Sequence, residues 1–119
     1  MIAQTTSIFL RYNKLTSLEG LDKVIFHIFP NPQNLMWIDL SYNRFTMLPE
    51  EFNFPSLKTL YLHSNYLFNM KEIEKLKNAQ IRTLTIYGNP IEEIEEFRVI
   101  IGSILPELKK LDSTLLTKR

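Results

Sequence analysis

At 119 residues the chain has the length of one domain, and its formal net charge of +1 gives no broad electrostatic drive toward nucleic acid or an anionic membrane. With no cysteine, disulfides and thiolate metal sites are excluded, and a reducing compartment is favoured. No stretch is apolar enough to span a bilayer, the first residues lack the basic-then-apolar layout of a signal peptide, and no Asn-x-Ser/Thr sequon occurs. The expected location is intracellular, in the cytoplasm.

The chain is organised by four asparagines, Asn13, Asn43, Asn65 and Asn89. Each closes one phrase: apolar, two variable, apolar, one variable, apolar, two variable, Asn. The weakest copy comes first, with Ile8 and Leu10 before Asn13. The next copies are Leu35, Ile38, Leu40, Asn43; then Leu57, Leu60, Leu62, Asn65; then Ile81, Leu84, Ile86, Asn89. An apolar residue follows each asparagine two places on: Leu15, Phe45, Leu67 and Ile91. From 13 to 43, 43 to 65 and 65 to 89 the steps are 30, 22 and 24 residues.

The alternation around the middle of each phrase predicts a short strand, with Ile38 and Leu40 on one face and Trp37, Asp39 and Ser41 on the other. The long first step predicts an insertion over 20–34, with a short helix over 21–29 stopped by Pro30 and Pro32. A return helix is expected over 71–78, with Ile73 and Leu76 on its inner face and Lys and Glu outside. Glu92, Glu93, Glu95 and Glu96 are expected to open a terminal helix, where carboxylates suit the positive end of the dipole. Phe97, Ile100, Ile101 and Ile104 recur at helical spacing, Pro106 stops that helix, and Leu108 and Leu111 begin one more coil, a terminal cap. The first coil has no such cap. It is expected to be covered by a partner or a missing segment, because a bare solenoid end is insoluble.

This pattern is the leucine-rich-repeat signature. It predicts an α/β fold, a right-handed solenoid with a curved parallel sheet of about five short strands, helices or turns on the convex side, and a carboxyl-terminal cap. One domain over 1–119 is expected, with repeats near 5–34, 35–56, 57–80 and 81–105 and the cap over 95–119. The segment LPELKKLD (105–112) resembles the cap of the intracellular, phosphatase-regulator-like subclass, which includes dynein light chain 1 and the spliceosomal A-prime protein. NLMWIDLSYN (34–43), LYLHSN (60–65) and LTIYGNP (84–90) together resemble the leucine-rich repeat-containing protein 51 family. The resemblance covers roughly residues 5–119. It implies a non-enzymatic protein of ciliated cells, an axonemal or cytoplasmic interaction module or cytoskeletal scaffold, with axonemal proteins or dynein as partners. Separately, the charged tail with Lys109, Lys110, Lys118 and Arg119 offers a docking point for an acidic surface such as tubulin. A regulatory or adaptor subunit of a dynein or phosphatase stays open as the alternative, and an RNA-splicing adaptor after it.

The outward strand positions are where such a fold binds. They are Ser7, Phe9 and Arg11; Trp37, Asp39 and Ser41; Thr59, Tyr61 and His63; Thr83, Thr85 and Tyr87. Tyr12, Tyr42 and Tyr66 lie beside the asparagines. The expected partner-binding set is Phe9, Arg11, Tyr12, Trp37, Asp39, Tyr42, Tyr61, His63, Tyr66 and Tyr87. Aromatic and Arg side chains anchor protein interfaces, and Trp37 and Tyr61 are the expected central anchors. The same aromatics could instead pack on one another to finish the sheet. They could also stack bases, but Arg11, Lys14, Arg44, Lys58 and Arg82 make no dense stripe for phosphates. His63 near Asp39 has the residue types of a general base and also of an ordinary cross-strand hydrogen bond. His27 reads as a structural residue of the insertion. No phosphate loop or metal-ligand cluster accompanies them, so no catalytic residue, cofactor or metal is expected.

Overall fold

The computed structural model describes residues 7–17, 19, 32–50, 52 and 54–116. The expected helix over 21–29, and His27 with it, lies outside the described residues.

Among the described residues six short strands form one sheet in chain order: β1 (Ser7–Phe9), β2 (Trp37–Asp39), β3 (Thr59–Tyr61), β4 (Thr83–Thr85), β5 (Lys110–Leu111) and β6 (Thr114–Leu115). The first five run parallel, and β6 returns antiparallel to β5. The parallel part has the expected number of strands. The sixth arises because Asp112, at φ 58°, turns the chain back on itself. Each register places like on like: Ile8, Ile38, Leu60, Leu84 and Leu111 form one row across the sheet. Leu40, Leu62 and Ile86 form the next inward row, and Leu35, Leu57, Ile81 and Leu108 another. All of these are buried. Phe45, Leu67 and Ile91 fill the space after each asparagine and are completely buried. No single coil encloses such a row, so each coil is stabilised by its neighbours.

The asparagines join coil to coil. Asn65 accepts from Phe45 N (3.1 Å) and donates to Leu40 O and Leu62 O (both 3.0 Å). Asn89 accepts from Leu67 N (2.9 Å) and donates to Leu62 O (2.9 Å) and Ile86 O (2.8 Å). Asn43 does the same toward the first coil, accepting from Asn13 N and Leu15 N and donating to Leu10 O. These backbone groups lie in turns that no regular ladder serves. Asn13 differs: it is exposed, and its amide donates within its own coil, to Leu10 O and Arg11 O. The residue before each asparagine takes a left-handed conformation: Tyr12 at φ 63°, Tyr42 at 57°, Ser64 at 60° and Gly88 at 75°. A Cβ on Gly88 would lie 3.0 Å from Ser64 Oγ, so this glycine also lets the coils approach.

On the convex side, α1 (Lys71–Glu74) is followed by a 3₁₀ turn, Lys77–Ala79, in place of one helix over 71–78. Ile73 and Leu76 are fully buried, as expected of the inner face. Glu72 is not outside, however. It is buried, accepts from Leu48 N (2.7 Å), and pairs with Lys75 Nζ (2.9 Å), which also reaches Leu48 O and Glu50. The carboxylate is drawn inward because the second coil leaves a backbone N–H that needs an acceptor. The acidic run also departs from expectation. Glu92 and Glu93 belong to a 3₁₀ turn, Pro90–Glu93, and Glu92 accepts from Gly88 N; Glu96, at φ 58°, precedes α2 (Phe97–Ile104). No acidic residue lies in the first turn of α2. Ile101 is buried, while Phe97 and Ile104 are half-buried against the core. Leu105, Leu108 and Leu111 close this end.

Candidate functional site

The outward side chains of β1–β4 form the concave face. In register, Ser7, Trp37, Thr59, Thr83 and Lys110 make one row, and Phe9, Asp39, Tyr61 and Thr85 the next. The backbone ladder continues past the strands, with Tyr12 N on Ser41 O, Tyr42 N on His63 O and Ser64 N on Tyr87 O. This continuation brings Arg11, Ser41, His63 and Tyr87 into a third row.

Across these rows the aromatic rings touch in sequence. Trp37 stands edge-on to Phe9 (5.2 Å) and to Tyr61 (5.3 Å). Tyr61 meets His63 at 5.6 Å, and His63 stacks on Tyr87 at 4.4 Å with planes 11° apart. Tyr42 is edge-on to His63 and stacks on Tyr12 at 4.5 Å. The rings therefore do pack on one another, and they also face outward. Phe9 is 56% exposed and Tyr12 65%, Tyr42 and Tyr87 are exposed, and Trp37 and Tyr61 are half-buried. Trp37 Nε1 is covered and has no acceptor among the described residues.

Tyr66 stands apart. It is exposed but makes no ring contact with this group among the described residues. Tyr12 and Tyr42 precede their asparagines, whereas Tyr66 follows Asn65 and so leaves on the other side of the turn. Asp39 and His63 differ from expectation in another way: they are buried beneath the face, Asp39 at 1% exposure. Asp39 Oδ1 accepts from Ser41 N (3.0 Å) and Ser41 Oγ (2.6 Å), which closes the end of β2. Arg11, itself exposed, approaches Asp39 Oδ2 at 3.8 Å and lies 5.6 Å from the centre of the Tyr12 ring.

The pairing of His63 with Asp39 is absent from the hydrogen bonds. His63 Nδ1 bonds Thr85 Oγ1 at 2.7 Å, because Asp39 is aligned with Tyr61 and its carboxylate turns toward Ser41. Burial lowers the His63 pKa, more than Asp39 and Asp112 raise it, and Arg11 adds to the lowering. Burial also raises the Tyr87 phenol, helped by Tyr42 and Asp112. Both rings are thus neutral near pH 7. Thr85 was legible only as an outward threonine, and its role as partner of His63 depends on register.

Among the described residues no group of three His, Asp or Glu side chains is placed to hold a metal ion, and no helix is long and apolar enough to cross a membrane.

Comparison with known proteins agrees with this architecture. The Leucine Rich Repeat family model matches residues 34–54. Leucine-rich repeat-containing protein 51 of Rattus norvegicus is 37% identical over 116 residues, which is 96% of this chain and 60% of that protein. The chain therefore spans about three-fifths of the length of the curated relatives it matches. Among solved structures, the Drosophila melanogaster SNF/U2A' complex contains a chain with a TM-score of 0.76 and 20% identity, covering 98% of this chain and 80% of that one. A leucine-rich-repeat protein of Leptospira interrogans has a TM-score of 0.65 and 33% identity, covering 88% of this chain and 24% of that one. Leucine-rich repeats are protein-interaction modules, and this chain is a leucine-rich-repeat protein with mammalian homologues, 35–37% identical to it, that are named leucine-rich repeat-containing protein 51.

Proposed function

We propose that this protein is a non-enzymatic protein–protein interaction module and a structural component of a ciliary or axonemal, microtubule-associated assembly. It binds a partner segment through the concave aromatic face. The observation that carries this reading is the continuous line of rings from Phe9 through Trp37, Tyr61 and His63 to Tyr87, exposed at Phe9 and Tyr87 and partly open at Trp37 and Tyr61. Large, rigid rings lose little entropy on docking, so such a line favours tight contact with another chain. The ciliary assignment rests on the resemblance to leucine-rich repeat-containing protein 51, which suggests axonemal proteins or dynein as partners; the basic residues of the carboxyl end add tubulin, an acidic surface. The second reading, an adaptor or regulatory subunit, is favoured by the similarity to U2A', which was solved in complex with SNF.

The test is isolation of the tagged chain from ciliated cells, with crosslinking and mass spectrometry. Crosslinks from Lys14, Lys58 or Lys109 to axonemal proteins are expected. The Trp37→Ala/Tyr61→Ala variant is expected to lose them while keeping the far-UV circular dichroism of the parent. Recovery with a soluble enzyme or splicing factor would replace the axonemal reading with the adaptor reading. Full retention of the partner by the double variant would rule out the concave face.

A further inference from the structure

The concave face is not uniform in charge. Asp112 closes its carboxyl-terminal end, where Oδ1 accepts from Ile86 N (2.7 Å) and Tyr87 N (3.0 Å). Asp112 makes no ion pair among the described residues. Asp39 and Asp112 are both close enough to act on His63 and on Tyr87 through space. One face of the Tyr87 ring is taken by His63, and the side chain is still 43% exposed. The π face of a phenol is electron-rich, so this end of the surface attracts cations twice over. The opposite edge of the sheet has the other sign: Lys58, Arg82 and Lys109 enter β3, β4 and β5, and Lys110 follows.

The molecule already contains one example of what such a surface holds. The Arg11 guanidinium lies over Tyr12 and beside Asp39, and this is the one cation–π contact among the described residues. Tyr87 and Asp112 bring a ring and a carboxylate together again at the other end of the face; the Arg98 guanidinium at this end is held by Leu111 O (3.1 Å) and Thr114 O (3.4 Å) and makes no cation–π contact with Tyr87. Building on the concave-face reading, we propose that the partner segment carries an arginine whose guanidinium stacks on the open face of Tyr87 beside Asp112. A planar guanidinium fits this arrangement better than an ammonium, because it stacks and bonds a carboxylate at once. The basic edge of the sheet keeps the same arginine from binding in the reverse direction.

The experiment uses three blocked twelve-residue peptides of alanine and leucine that carry, at the same three positions, arginine, citrulline or glutamate. Each is titrated into the full chain by calorimetry, with the fluorescence of Trp37, the one tryptophan, as a second readout. The arginine peptide is expected to bind about tenfold tighter than its neutral citrulline isostere. Asp112→Asn keeps the acceptor for Ile86 N and Tyr87 N and suits the left-handed backbone there. It is expected to remove that tenfold advantage and leave citrulline binding unchanged. Trp37→Ala/Tyr61→Ala should weaken the arginine and citrulline peptides alike. Equal binding of arginine and citrulline peptides, an Asp112→Asn variant that keeps the preference, or no binding of any peptide at millimolar concentration overturns the arginine proposal. The concave-face reading is then decided separately, by whether the double variant loses the native partner.

Discussion

At the scale of single residues, His63 shows how burial redirects a functional-looking side chain. Its ring lies between Tyr87 and Tyr42, and Nδ1 is bonded to Thr85, so it cements the face from beneath. Its pKa in the folded chain is lowered, chiefly by burial. Between that lowered value and the ordinary value of about 6.5, the unfolded chain binds more protons than the folded one. The stabilising contribution is therefore complete above about pH 6.5 and is lost as the pH falls toward the lowered folded value. Urea unfolding at pH 7.5 and 5.5 should show lower stability at the acid value, and His63→Gln should flatten this part of the difference. An unchanged pH slope in His63→Gln would remove His63 as its source. Asp39 illustrates the same point in a carboxylate. Two hydrogen bonds from Ser41 turn it into a strand-end fastener rather than a free contact residue.

At the scale of the element, the coil is defined by its asparagine, and the four asparagines are not equivalent. Asn65 serves four buried backbone groups on two coils. Asn65→Ala leaves Phe45 N and Leu40 O without that partner in a place water does not reach, and should cost about 2–4 kcal/mol. Among the described residues the Asn13 side chain serves only Leu10 O and Arg11 O, in an exposed turn where water replaces the lost amide. Asn13→Ala should cost less than about 1 kcal/mol. Chemical denaturation of both variants checks this order, and equal losses would mean that the shared turn geometry, not the bridge between coils, carries the stability. The convex elements obey looser rules. The stretch over 71–79 needs only Ile73, Leu76 and Ala79 turned inward, so a four-residue helix and a 3₁₀ turn satisfy it as well as one longer helix.

At the scale of the whole molecule, each row of the core is continued by the next coil until the cap ends it. Leu111 is the last member of the row that begins at Ile8, and it is fully buried. Leu111→Ala opens a cavity against Leu84 and should cost about 2–5 kcal/mol, read from the shift of the urea midpoint. A loss below about 1 kcal/mol would show that the β5–β6 hairpin is not part of the cooperative core. The repeat, the inward rows, the outward positions and the cap were all legible in the sequence, because strand periodicity and repeat period set which side chains share a face. Trp37 and Tyr61 were legible as outward aromatics for the same reason. Periodicity assigns a face but not a depth. Only the stacking of coils decided that Asp39, His63 and Thr85 lie beneath the rings, that Tyr66 stands apart from them, that Glu72 turns inward, and that Asp112 takes the last place on the concave face. Those outcomes depend on which backbone donors and acceptors neighbouring coils leave unmet, and such groups meet only when the coils are brought together.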